Sequence, residues 1–529
     1  MKASRKILYL FVALAGMTCL SSCESLLDIP QKGVRPMEGF YQTDEDCQEA
    51  VTSMYASMKN LVQGQFSPVF VTNLLSDDCY SGASARYASD DKESINEYRY
   101  DAANPVVEDI YEGLYALIYR CNLVINNFED GTSDIQKRAV AEAKVFRAYS
   151  YFHLVTLFAN VPLITEAVRD DYKAGPSTPE AIWGQVETDL KEAIGAAVLP
   201  VKTGMDDRTT GIRVTEDFAR SMLGKTYVFL DRWSEAAEQL DAVIASGRYG
   251  FLDSYEDYAK ASNNNNREVI FSDNKNNDPN NEGSFMLVLY NWNNQYFSGL
   301  GLNNELGSLG FGFFSPSKSL VDAFIEMEGE GDARGKRFRE TLKSYDDMLE
   351  MGISLNTGMA AYAHCGYGYW KVRLRNADLL GNPTSSWQND VVMRYAEVVL
   401  LAAEAHIMLN DGLGDQYINM IRDKAGLPRL AGATMDDLKK EKRLELCLEG
   451  CRYQDLIRWG DAAEVLGEQW ERIPNFAGKA ADGSYVLQYP DINVNATYGF
   501  VEGKHNLLPI PEREMNVNPN MKQNPGWTE

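Results

Sequence analysis

The run TEDFARSMLGKTYVFLDRWSEAAEQLDAVIASGR, residues 215–248, decides the architecture. It reads as the two helices of one hairpin, in which small Gly224 and Ala236 let the helices approach closely while Tyr227 and Leu240 fill the groove toward the next hairpin. Toward the N-terminus, Ala50, Val51, Met54, Tyr55, Met58 and Leu61 recur at three and four across Glu45 to Val62. Val107, Ile110, Tyr111, Leu114, Tyr115, Ile118, Cys121 and Ile125 do the same, so both stretches are predicted amphipathic helices facing one core. A further helix is predicted from Ser133 to Phe158, ended by Asn160-Val161-Pro162, and Pro179 at a first turn opens another over Glu180 to Ala197. Toward the C-terminus a second pair is predicted over Val391 to Leu409 and Asp415 to Lys424, then one long helix from Met435 to Trp459.

The offsets Leu223-Gly224-x-x-Tyr227 and Ala236-x-x-x-Leu240 are those of the tetratricopeptide repeat. The expected fold is therefore predominantly α: a tetratricopeptide-like hairpin scaffold with a loop-rich, irregular half and little β. Residues 45–261 are assigned to the N-terminal scaffold, 262–388 to the loop-rich region and 389–529 to a C-terminal helical region with a Pro/Asn-rich tail. Residues 262–315, with Asn263 to Asn266, Asp273 to Asn281 and a glycine-studded run to Phe314, carry turn formers and no helical period, as does Asn73 to Asp101. Long loops of this kind serve recognition when they are ordered.

At 529 residues, 45% hydrophobic and 24% charged, the chain is long enough for a large core and has an ordinary globular composition. Its net charge of −25 repels phosphate backbones, which argues against nucleic acid as a partner. At the start, Lys2, Arg5 and Lys6 precede an apolar run from Ile7 to Met17, the pattern of a secretory leader over residues 1–22. It ends in Leu20-Ser21-Ser22-Cys23, which resembles a bacterial lipobox; Cys19 fits less well because Gly16 stands where Leu is expected. Cys23 is thus the expected lipidation site, and residues 23–44 the lipid-anchored tether. No later stretch is apolar enough to cross a bilayer as a helix.

Raw material for covalent chemistry is thin. Cys47, Cys79, Cys121, Cys365, Cys447 and Cys451 form no C-x-x-C pair and read as buried thiols, and His153, His364, His406 and His505 lack metal-ligand spacing. Gly299-x-Gly301 fails as a dinucleotide loop because Asn304 stands at the third glycine. Asp278-Pro279-Asn280-Asn281-Glu282-Gly283 echoes a calcium loop, but Leu289 takes the place of the closing Glu, so no cofactor is expected beyond a structural calcium there.

Five separated segments resemble the SusD/RagB family of outer-membrane lipoproteins. They are Leu27-Asp28-Ile29-Pro30; Arg138 to Pro162, with Ala141-Glu142-Ala143 and Arg147-Ala148; Arg394 to Ala405 with Ile418 to Leu427; Lys440 to Gly460, with Glu449-Gly450-Cys451-Arg452 and Arg458-Trp459-Gly460; and Leu508 to Trp527. Ala159 and Lys442 depart from the pattern, which more often has Gly and Glu. The resemblance implies a lid on a SusC-like TonB-dependent transporter, held at the outer membrane through its N-terminal lipid and facing the cell exterior. It further implies an oligosaccharide or polysaccharide ligand, or a peptide in the RagB-like alternative, and no enzymatic activity. A surface glycoside hydrolase and a purely structural adaptor are the readings from other classes; the first needs two carboxylates across a cleft. Glu397, Glu404, Glu445, Glu449 and Asp455 share their segments with Arg394, Arg422, Arg452 and Arg458, so a carboxylate–guanidinium network between helices is the expected role of these motifs.

A sugar ring has apolar C–H faces and polar edges, so flat aromatic rings flanked by amides suit it. Trp292 and Tyr296, interleaved with Asn291, Asn293, Asn294 and Gln295, have that composition. Packing of both rings against the scaffold is the competing reading. The family resemblance adds Tyr80, Arg86 and Tyr87 from the first loop as expected ligand-binding residues.

Overall fold

The computed structural model describes residues 40–63, 67–167, 173–280, 283–302, 305–468, 473–490 and 498–527. The leader, Cys23 and the Leu27–Pro30 segment lie outside the described residues. The longer helices are α1 (Asp44–Val62), α2 (Pro105–Phe128), α3 (Asp134–Phe158), α4 (Pro179–Gly195), α5 (Glu216–Phe229), α6 (Trp233–Ala245), α7 (Lys318–Glu328), α8 (Tyr395–Leu409), α9 (Gly414–Ala425), α10 (Met435–Glu445) and α11 (Arg452–Trp459). Their starts are set by side-chain caps: Thr43 and Asp46 form a reciprocal capping box at α1, and Pro105 and Pro179 occupy the first turns of α2 and α4.

Helices α1 to α6 pack each against the next, and α8 with α9 docks on α5 and α6, so the array continues across an insertion of about 150 residues. The helices of the hairpin approach closely at Gly224 as expected, but Leu240 packs on Gly224 inside the hairpin and not only toward the next one, since a Cβ added at Gly224 would stand 2.6 Å from Leu240 Cγ. Helices α3 and α8 are the centre of this array. Every residue from Tyr395 to His406 is buried, as is every residue from Ala139 to Val155, the pattern of helices covered on all sides.

Three boundaries differ from expectation. Asp390–Arg394 is a strand (β2), not the start of a helix, and pairs antiparallel with Val269–Asp273 (β1). The helix expected from Met435 to Trp459 breaks between α10 and α11, where Leu448 and Gly450 take φ of 61° and 83°. Asn73 holds the break: its side-chain amide donates to the Leu448 carbonyl at 2.9 Å and accepts from Gly450 N at 2.9 Å. The Asn73–Asp101 loop, finally, contains a two-turn helix at Asp90–Asn96.

The break places Glu445 and Glu449 against Arg394, which is 2% exposed and lies 2.9 and 2.5 Å from them. Around this pair, Lys371 reaches Glu449 at 2.6 Å, Lys424 reaches Glu268 at 2.7 Å and Arg337 reaches Glu441 at 2.6 Å. Arg458 chelates Glu404, Arg452 holds Asp77 and Arg422 holds Glu441, so the expected network is present, with Glu397 paired to Lys225. Lys442, at the position where the family more often has Glu, makes a 2.9 Å pair with Asp455. Against the opposing effect of burial, the cationic partners hold Glu445 well below the usual carboxylate range and lower Glu449 as well. Cys365 and Cys447 are buried free thiols pushed up to about 12 by desolvation, which leaves them inert.

Candidate ligand-binding surface

Two loops distant in sequence meet on one side of the scaffold. The first leaves the short strand Cys79–Tyr80, which pairs with Ser315–Pro316 and is tied to the Asp90–Asn96 helix by Asn96, whose amide donates to the Leu74 and Cys79 carbonyls and accepts from Ser81 N. The second runs through Asn291–Phe297. Asn293 donates from its side chain to the Ala83 carbonyl at 3.0 Å, and the Tyr296 hydroxyl donates to the Ser84 carbonyl, so the second loop carries the first.

At the tip of the first loop stands Tyr87, with φ 65° and 47% of its surface exposed. A tyrosine in the left-handed region is costly and persists only where its surroundings fix it. Here the Glu93 carboxylate does so, accepting from Tyr87 N at 2.7 Å, Ser89 N at 3.3 Å and the Tyr362 hydroxyl at 3.1 Å. Burial lifts the Glu93 carboxyl above its ordinary value despite these bonds. The Arg86 and Arg99 guanidinium groups lie 5.1 and 5.4 Å from the centre of the Tyr87 ring and share the Glu97 carboxylate at 2.9 and 2.5 Å. The hydrogen bond from Arg86, and a second with Tyr498, lower the Tyr87 phenol below the usual tyrosine value. The result is a half-exposed aromatic ring with two guanidinium groups over it, joined by a buried carboxylate.

The remaining expected residues play a different part. Trp292 is 2% exposed, with its ring edge-on to Phe297 and His364 at 4.6 and 4.8 Å. Its indole lies so close to the backbone at Gly368 that a Cβ there would stand 1.4 Å from Nε1. Tyr296 and Tyr80 are buried as well, and the Tyr80 hydroxyl accepts from Lys318 N at 2.9 Å. Trp292, Tyr296 and Tyr80 therefore do not present a face for stacking. They pack beneath the loop, because a long irregular segment must bury its own aromatic rings to be ordered. The interleaved amides hold the loop in a second way. Asn291 donates to the Leu309 carbonyl at 3.1 Å and accepts from Leu374 N, and Asn294 accepts from Gly310 N, satisfying backbone that no sheet would satisfy. Of the five expected residues, Arg86 and Tyr87 form the outer surface. Glu93, Glu97, Arg99, Tyr362 and Tyr498 were not anticipated, and no local motif marks them.

No group of three or more His, Cys, Asp or Glu residues that could hold a metal occurs among the described residues. Asp278 accepts from the backbone and side-chain nitrogens of Asn280 at 2.9 Å, and residues 281 and 282 of the expected calcium loop lie outside the described residues.

Residues 35–228 match a family described as "Starch-binding associating with outer membrane", and residues 356–527 match one described as "SusD family". The chain belongs to the SusD-like family. Among SusD-like relatives, protein P25 of Formosa agariphila is 26% identical over 98% of both chains, and one from Bacteroides ovatus is 22% identical over 99% of both. Among solved structures, a laminarin-binding SusD-like protein superposes with a TM-score of 0.76 at 26% identity, covering 92% of this chain and 100% of that one. The surface glycan-binding protein A of Bacteroides thetaiotaomicron in complex with laminarihexaose shares the fold, with a TM-score of 0.73 at 20% identity over 91% of this chain and 100% of that one. The first SusD-like match contains the Tyr87 loop and the second contains Arg394, Glu445 and Glu449, while Asn291–Phe297 falls in neither.

Proposed function

We infer that the chain is a cell-surface binding protein for an oligosaccharide or polysaccharide, that Tyr87 with Arg86 and its neighbours forms the surface that receives a sugar ring, and that the ligand passes to a SusC-like TonB-dependent transporter. The observation that carries this reading is the held conformation of Tyr87: a half-exposed ring at φ 65°, locked by Glu93 and underpinned by Tyr296. A ring fixed before binding loses little entropy when a sugar stacks on it, and the Arg86 and Arg99 side chains, held by the buried Glu97, supply donors for hydroxyls. The names of the similar proteins make laminarin and laminarihexaose the first ligands to try. The buried carboxylates Glu445 and Glu449 are held ionised by their cations, which unsuits them as general acids and agrees with binding without cleavage.

Native affinity gels containing laminarin test the surface. Retardation of the protein lacking residues 1–23, relieved by Tyr87→Ala, is the expected result. Equal retardation of both forms would remove Tyr87 from the site, and retardation by a peptide panel alone would favour the RagB-like reading.

The anchor rests on the Leu20–Cys23 segment. Two or three acyl chains at about 0.8 kcal/mol per buried methylene hold a protein at a membrane durably. Cys23→Ser should therefore move the protein from the membrane pellet to the soluble fraction; a variant that still pellets with membranes would contradict lipidation at Cys23.

A further inference from the structure

A groove of about 500 Å³ runs along the outer side of α2, walled opposite by the C-terminal segment that holds residues 511–518. Its floor carries three tyrosines one helical turn apart, Tyr111, Tyr115 and Tyr119. The Tyr111 and Tyr115 ring centres are 4.9 Å apart, the Tyr115 hydroxyl donates to the Pro162 carbonyl at 2.7 Å, and Tyr119 is 37% exposed. Tyr111 is buried and packs on Phe158, so the trough presents the partly buried Tyr115 and the exposed Tyr119, two phenol rings on an outward helix side that is ordinarily charged and polar. At the rim Arg513 bridges Glu108 and Glu112 at 3.2 and 2.6 Å, an exposed pairing of little net strength whose groups are free to exchange onto hydroxyls. None of the residues that form the Tyr87 surface lines this groove.

We propose that the α2 groove is a second carbohydrate-binding site, taking a neutral oligosaccharide whose rings lie on Tyr115 and Tyr119 and whose hydroxyls bond to Glu108, Glu112 and Arg513. Its volume falls in the range of roughly 300–1,000 Å³ typical of small-ligand sites. Acidic and basic groups nearly balance along it, in a chain that carries a net charge of −25 overall. That balance gives neither the cationic field a polyanion needs nor the strong acidic field that would select a basic peptide. The proposal rests on the reading of the chain as a glycan-binding protein but not on the Tyr87 surface. Two sites on one rigid scaffold hold a polymer that spans both more tightly than a short oligosaccharide that fills one.

Calorimetry with laminarihexaose and with laminarin on the protein lacking residues 1–23 tests it, using Tyr119→Ala, Tyr87→Ala and the double variant, each checked for an unchanged melting temperature. Arg513→Ala serves as a second groove variant that leaves the helix untouched. The expected result is about two hexaose molecules per native chain, about one in either single variant, and laminarin affinity at least about tenfold weaker in each. One hexaose per chain with Tyr119→Ala and Arg513→Ala unchanged would overturn the groove, as would complete loss of binding in Tyr87→Ala alone. Binding that survives Tyr87→Ala but is lost with Tyr119→Ala would instead uphold the groove and overturn the Tyr87 surface. No binding of either sugar by the native protein would overturn both.

Discussion

Stability should fall steeply as pH drops from 6.5 toward 4. His153, His364 and His505 are all lowered to about 3 by burial, with Lys225 adding to the effect at His153 and Lys504 at His505. The ring of His364 is fixed in its neutral form, since its Nδ1 accepts from Gly366 N at 3.0 Å. A histidine depressed in the folded state is protonated in the unfolded chain first, so its stabilising contribution is complete above pH 6.5 and is lost progressively as pH falls through the window down to about 3. At pH 5 each of the three costs about 2 kcal/mol relative to neutral pH. Asp390 works in the opposite sense. Burial raises it to about 6, so protonation favours the folded state below that pH and returns about 1 kcal/mol at pH 5. The net expectation is a loss of about 4–5 kcal/mol between pH 7 and 5, with about two protons taken up on unfolding. Guanidinium denaturation midpoints across this range measure it, and His364→Phe should flatten the slope by about one proton. A level profile would mean that these imidazoles are not buried as neutral groups.

Arg394→Met should destabilise the fold by about 3–5 kcal/mol, the usual result of removing one partner of a buried ion pair. Arg394 donates to Glu449 from Nε at 2.5 Å and to Glu445 from Nη1 at 2.9 Å, while its Nη2 also reaches the Glu445 carbonyl at 2.5 Å. It thereby joins the end of β2 to the break between α10 and α11. Without it, Glu445 keeps the Tyr255 hydroxyl at 2.9 Å, but its remaining cations are the more distant Arg337 at 3.5 Å and Lys424 at 3.7 Å. Lysine should not restore the loss, because its single ammonium cannot reproduce the fork to two carboxylates and a carbonyl. Urea unfolding with an unchanged m-value reads the effect. A change below about 1 kcal/mol would show the network to be replaceable by the neighbouring lysines.

What was legible in the chain follows from the range over which each interaction acts. The 215–248 hairpin was legible because Gly224 and Leu240 meet within one supersecondary unit and their spacing records that contact. Val391 to Leu409 was not, because a continuous apolar run fits a buried strand and a buried helix equally well; pairing with Val269–Asp273, far upstream, decides it. The break after α10 depends on Asn73, 375 residues away from Leu448. At the candidate surface, composition singled out Trp292 and Tyr296 as aromatic rings among amides but carried no information on which side they face. Tyr362, 269 residues from the Glu93 it bonds, carries no local signal. The Arg and Glu motifs of residues 394–460 were legible as structural because their density of paired charges exceeds what a catalytic site would hold, and the buried lattice has that form.

Calorimetric titration of laminarihexaose into the protein lacking residues 1–23, in native, Tyr87→Ala and Tyr87→Phe forms, determines whether a preset Tyr87 receives a sugar ring. Tyr87→Ala should weaken the site by at least about tenfold, the effect of removing an anchoring aromatic ring, while Tyr87→Phe keeps most of the affinity because the ring face remains. Native affinity with an unchanged number of hexaose molecules bound in Tyr87→Ala would contradict stacking on Tyr87.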